Sequence, residues 1–176
     1  MKKNLYVLII LGAAWGIFEA TAGYLLHLFG LRIGWMIWFP AAYFFIRRAY
    51  GETKNIRGTM GMAIFAASLK LVNLFFPGRI DMVVNPAVSM ILEALSVVLI
   101  YRYMEKENPL AALFAGFVWR GLYVIYVMCM PRSFVEAAPF LTLRSLITFL
   151  VFENVINATC ITAAMAFKRI GRAVMQ

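Results

Sequence analysis

Six apolar runs fill most of the 176 residues, and each is long enough, or nearly so, to cross a bilayer. The hydrocarbon core is about 30 Å thick, so a helix needs roughly 20 apolar residues to span it. Backbone inside lipid must satisfy its own hydrogen bonds, which leaves helices for runs of this kind. The chain therefore reads as an all-α polytopic membrane protein, a six-transmembrane-helix bundle forming a single integral membrane domain over residues 1–176. The runs predict helices over Leu5–Phe29, Ile33 to Ile46 or a little beyond, Thr59–Phe76, Val83–Tyr103, Leu110–Met130 and Leu143–Phe167. Pro40 lies inside the short second run. Pro86 falls in the first turn of the fourth, where a missing N–H costs little. Pro109 opens the fifth run and Pro131 closes it.

Composition removes several function classes. Hydrophobic residues make up 64% of the chain, against about half in a soluble domain. The net charge of +9 invites a nucleic-acid reading, but basic loops on one side of a membrane explain it more simply, and no nucleic-acid partner is expected. Eleven basic residues fall at one face (Lys2, Lys3, Arg47, Arg48, Lys54, Arg57, Arg102, Lys106, Lys168, Arg169, Arg172). Three fall at the other (Arg32, Arg79, Arg132). That bias predicts both termini in the cytoplasm and an even number of spans; the expected location is the cytoplasmic membrane of a prokaryote. The first run is too long for the apolar core of a signal peptide and reads as a retained helix. Cys129 and Cys160 form no C-x-x-C and read as small core residues, so no metal or cofactor is expected.

Glu19, Lys70, Glu93, Arg120, Arg144 and Glu153 lie in or near the apolar runs. A charge in hydrocarbon is costly unless it meets a partner or water. With three cations and three anions the interior can be neutral as a network. Two uses follow: salt bridges that fix helix packing, or a polar cavity that binds a solute. Spacing favours convergence. Lys70 and Asn73 share a helix face, as do Arg120 and Tyr123 beside Trp119, and Glu153 and Asn157 with Asn154 adjacent. Asn85 lies two turns outward of Glu93. The candidate solute-binding set is Glu19, Lys70, Asn73, Asn85, Glu93, Trp119, Arg120, Tyr123, Glu153 and Asn157. His27 would sit at its rim, and the segment Pro131–Phe140, carrying Arg132 and Glu136, could cover it. Trp35 and Trp38 read as interfacial anchors.

Gly12, Gly16 and Ala20 form a small-residue stripe on the first helix. Such stripes allow close helix approach, either within the bundle or against a partner protein. An internal echo, Ile17-Phe18-x-Ala20-Thr21 against Ile64-Phe65-x-Ala67-Ser68, leaves hairpin duplication open.

In size, six predicted helices, the stripe Gly12-x-x-x-Gly16-x-x-x-Ala20, and the run Asn85-Pro86-Ala87 leading to Glu93-Ala94-Leu95, the chain resembles the substrate-binding S-component of an energy-coupling factor transporter. That resemblance implies a subunit that binds a vitamin, vitamin precursor or metal from outside. It also implies a membrane T-component and cytoplasmic ATPases as partners, with Gly12, Gly16 and Ala20 at the partner interface. A stand-alone carrier or channel acting as a homo-oligomer is the alternative. No nucleophile–base pair, metal cluster or phosphate-binding motif points to an enzyme.

Overall fold

The computed structural model describes residues 2–29, 34–76, 79–104, 108–131 and 142–174, and the side chains of 2–3, 27–28, 34–35 and 168–174 are not described. His27, Trp35, Arg32, Arg132 and Glu136, with residues 132–140 of the expected cover, lie outside the described side chains. Among the described residues every regular element is helical.

Helix α1 is Lys2–Leu28, and α2 is Gly34–Thr53. Helix α3 is Ile56–Lys70 and continues as a 3-10 turn over Leu71–Phe75. Helix α4 is Asp81–Tyr103 and α5 is Pro109–Met128. The last helix, α6, has three parts: Leu143–Ile147, a π-helical turn Thr148–Phe152, and Glu153–Val174. Caps explain several ends. Asn55 accepts from the Gly58 N–H at 3.3 Å, Asn108 accepts from Leu110 at 2.9 Å, and Thr142 and Ser145 cap each other at the start of α6.

Five helices are long and apolar enough to cross a membrane: Asn4–Leu26, Ile56–Phe75, Asp81–Tyr103, Pro109–Met128 and Leu143–Phe167. The chain is thus an integral membrane protein. Helix α2 is outside this set. It runs seven residues past the expected Ile46 end, through Arg47 and Arg48 to Thr53, so its charged last turns dilute its hydropathy. Those turns are held by an Arg48–Glu52 pair at 2.7 Å and by Ala49, which is fully buried. Helix α4 also begins two residues earlier than expected, which moves Pro86 into its second turn.

Helices α1 and α3 run parallel, in a constant register of about 50 residues. Leu8 meets Gly58, Gly12 meets Met62, and Gly16 meets Ala66. A Cβ on Gly16 would lie 2.7 Å from the Ala66 carbonyl oxygen and 2.9 Å from Leu69 Cβ. Only a hydrogen side chain permits that approach. The stripe at Gly12 and Gly16 therefore packs inside the bundle. These faces are covered by α3, which corrects their assignment as a partner interface. Helix α2 occupies the centre: Phe39, Ala42, Tyr43, Ile46 and Ala49 are all fully buried, and it packs on α1, α3, α4 and α6. Trp38 is half-buried with its ring edge-on to Phe18, 5.8 Å between centroids, so it is a packing residue of the α1–α2 pair.

Candidate functional site

Arg120 is the focus of the polar interior. Its side chain is fully buried on α5. Its Nη1 donates to the Asn154 amide oxygen at 3.3 Å, and its Nη2 lies 3.9 Å from the Glu153 carboxylate. Three aromatic rings surround the guanidinium: Trp119, Phe149 and Phe39, at 4.4, 5.2 and 5.8 Å from its carbon. Planar, weakly hydrated arginine suits such a setting better than lysine. Phe39 and Trp119 are themselves stacked, 5.0 Å apart and 4° from parallel.

Glu93 approaches from α4. It is 3% exposed and its Oε1 accepts from the Ser89 hydroxyl at 3.1 Å. The same Ser89 oxygen accepts from the Trp119 indole N–H at 3.0 Å. Ser89 thus ties the carboxylate of α4 to the aromatic cage of α5. Glu93 is also within electrostatic reach of Arg120 and of Glu19.

Asn154, fully buried, completes the cluster from α6, and Asn157, also fully buried, lies one turn further along that helix. Asn154 donates to the Leu113 carbonyl at 3.1 Å while accepting from Arg120. Its amide oxygen sits where a Cβ of Gly116 would be. Gly116 is the notch that admits Asn154. The π-turn supplies the rotation. In it the Glu153 N–H bonds back to Thr148, so the helix gains a residue per turn there. Phe149, Glu153 and Asn154 then all reach Arg120.

A second polar group lies between α1 and α3. Glu19 and Lys70 are 4% and 6% exposed. The Lys70 ammonium donates to the Glu19 backbone carbonyl, and the Asn73 amide donates to the Ala20 carbonyl at 3.3 Å. In a 3-10 turn residues three apart eclipse, which sets Lys70 and Asn73 on one line facing α1. Gly23 opens the path, since a Cβ there would fall 2.7 Å from the lysine nitrogen.

The expected residues thus divide. Glu93, Trp119, Arg120 and Glu153 meet in one cluster, with Asn157 one turn along α6 from Asn154. Glu19, Lys70 and Asn73 form the α1–α3 group, linked to the first through the Glu19–Glu93 field. Ala20 enters it through its backbone only. Asn85 is apart, accepting from the Tyr126 hydroxyl at 3.1 Å. The Tyr123 ring packs at a tilt against Trp119, Tyr126 and Phe149. Arg144 is exposed, which removes it from the expected interior charges. Asp81, expected in a loop, is 5% exposed and held by Arg79 through two contacts of 3.0 and 2.8 Å. Glu153 is at the edge, its side chain 18% exposed. The deep charges that remain within the membrane spans near these clusters are Glu19, Glu93, Lys70 and Arg120, two of each sign.

Sequence reasoning passed over Ser89, Gly116, Phe39, Phe149 and Gly23. A signal existed for Gly116: it follows Ala111, Ala112 and Ala115, a run of small residues all buried on one helix. The aromatic pair carried none, because Phe39 and Phe149 look like any core residue.

Several buried polar atoms in the clusters have no hydrogen-bond partner: Glu93 Oε2, Arg120 Nε and Nη2, and both ends of the Asn157 amide. Comparison with protein-family models, curated proteins and solved structures yields no match.

Proposed function

We propose that this chain is the solute-binding membrane subunit of an uptake transporter for a small polar or zwitterionic molecule. The carrying observation is the set of unused hydrogen-bonding atoms on Glu93, Arg120 and Asn157, all deep in the bundle. A buried donor or acceptor left unpaired costs about 1–3 kcal/mol, so five such atoms deep in the bundle, three of them on Glu93 and Arg120, are hard to account for as packing. A solute offering a carboxylate or carbonyl to Arg120, and donors to Glu93 and the Asn157 amide, satisfies them. The flat faces of Phe39, Trp119 and Phe149 suit a ring or conjugated group. In this reading α2 is a sixth span. It is 20 residues long, about 30 Å at 1.5 Å per residue, and it sits among the other helices. Both termini are cytoplasmic, the membrane is the inner membrane of a prokaryote, and the resemblance to S-components makes a T-component and ATPases the partners.

The test is mass spectrometry of small molecules released by denaturation from protein purified in mild detergent. Wild type is expected to release a metabolite that Glu93→Gln and Arg120→Gln, both folded, do not. Equal release from all three refutes the site. Failure of both variants to fold assigns the charges to packing alone. Co-elution of an ATPase supports the subunit form, whereas solute uptake by the purified chain alone in vesicles supports a stand-alone carrier.

A further inference from the structure

A groove of about 900 Å³ runs down the outer face of α6, bounded by Leu143, Arg144, Ile147, Thr148, Phe152, Glu153 and Ile156. Its walls are apolar and open outward: Leu143, Ile147 and Phe152 are 74%, 47% and 64% exposed. Arg144 is exposed at the end of the groove that coincides with the end of the Leu143–Phe167 span. Glu153 lies nine residues along, about 13 Å deeper on a helix axis, and faces Arg120 on its inner side.

We infer that this groove is a specific site for one phospholipid with an anionic head group, its phosphate on Arg144 and an acyl chain along Ile147, Phe152 and Ile156. A groove open to hydrocarbon is filled by lipid chains or by protein. The charge pattern selects between them. A symmetric second copy, related by an axis along the membrane normal, would set equal depths against each other. Arg144 would then oppose Arg144 and Glu153 oppose Glu153. A lipid chain needs no counter-charge below its head, and Glu153 is already offset by Arg120. A basic side chain near the membrane surface favours anionic lipid by about 1 kcal/mol, and a planar guanidinium fits a phosphate group. The π-turn contributes the shape, because it turns Leu143–Ile147 about the axis relative to the helix that follows. The groove shares Glu153 with the solute cluster, but the head-group contact at Arg144 lies outside that cluster.

The experiment places a bimane label at Phe152→Cys, in a Cys129→Ser, Cys160→Ser background, and reconstitutes the protein in phosphatidylcholine vesicles. Nitroxide-chain phosphatidylglycerol or phosphatidylcholine is added at equal mole fraction. The anionic lipid is expected to quench at about fivefold lower mole fraction, the factor of one exposed arginine at a membrane surface. Arg144→Gln abolishes that preference, Arg144→Lys keeps it, and Arg79→Gln, outside the groove, leaves it unchanged. Equal quenching in the parent protein overturns the inference, as does a preference that survives Arg144→Gln. Absence of quenching by either lipid overturns it too, since protein then covers the groove.

Discussion

Gly116→Ala is the sharpest probe of the buried cluster. The added carbon would land on the Asn154 amide oxygen and 3.3 Å from Phe39 Cε1. Neither can yield easily, because Asn154 and Phe39 are fully buried. Asn154 must leave its place and lose two contacts, the bond to the Leu113 carbonyl and the one from Arg120. The neutral bond contributes about 0.6 kcal/mol on membrane-protein averages, and the charged one about 1.5–3 kcal/mol. Overpacking adds about 1–3 kcal/mol, and the better helix propensity of alanine returns about 1 kcal/mol. The expected loss is about 2–5 kcal/mol, read from reversible unfolding in mixed micelles titrated with dodecyl sulfate. The decisive comparison is a double-mutant cycle. With Asn154→Ala already in place the obstruction is gone, so Gly116→Ala should then cost less than about 1 kcal/mol, from the Phe39 contact alone. An equal cost in both backgrounds, or a neutral Gly116→Ala in the parent, would refute the notch.

Two further outcomes follow from the same reasoning. Gly16→Ala meets the Ala66 carbonyl and Leu69 Cβ, which are fixed, whereas Gly23→Ala meets the buried ammonium of Lys70, which is bonded to the Glu19 carbonyl. In the same unfolding assay Gly16→Ala is expected to cost about 2–3 kcal/mol and Gly23→Ala about 1.5–3 kcal/mol, through loss of the charged lysine bond to α1. Asn157→Leu replaces an amide with both ends unpaired by an apolar side chain of similar size, and should raise stability by about 1 kcal/mol in protein free of solute; a loss of that size would mean that the amide is paired.

The helices were legible because apolar length is a property of the chain itself. Lipid solvation fixes their type, and Asn55, Asn108 and Pro109 fix several ends. Helix α2 was underestimated for a physical reason. Its last turns carry Arg47 and Arg48, which mark a run's apolar limit but not its helical limit, since long basic side chains can reach outward while Ala49 stays buried. Depth along a run correctly singled out Glu19, Lys70, Glu93 and Arg120, all deeply buried. It misjudged Arg144, which is exposed, because rotation about the axis, not depth, decides which way a side chain points. The π-turn alters that rotation within α6, and no residue of Thr148–Phe152 announces it. The same holds for the small-residue stripe: Gly12 and Gly16 declare close approach, but only the three-dimensional register names α3 as the helix approached.

Both departures from α-geometry within the spans occur at the same end of the bundle, and both aim polar side chains inward. The 3-10 turn after Lys70 aligns the lysine with Asn73 against α1. The π-turn before Glu153 brings Asn154 and Phe149 to Arg120. Each lies within about ten residues of a helix end, roughly 15 Å of axial rise, while the opposite half of the bundle is packed with Ala63, Ala94, Val97, Ala111 and Ala112. A chain needing charges only as packing pins could have placed them on regular helices at any level. Two separate distortions of the backbone, each converting a lipid-spanning helix into a mount for polar groups at one level, argue that the level itself is what matters. That concentration, with its spare donors and acceptors, is the physical basis for placing a solute there.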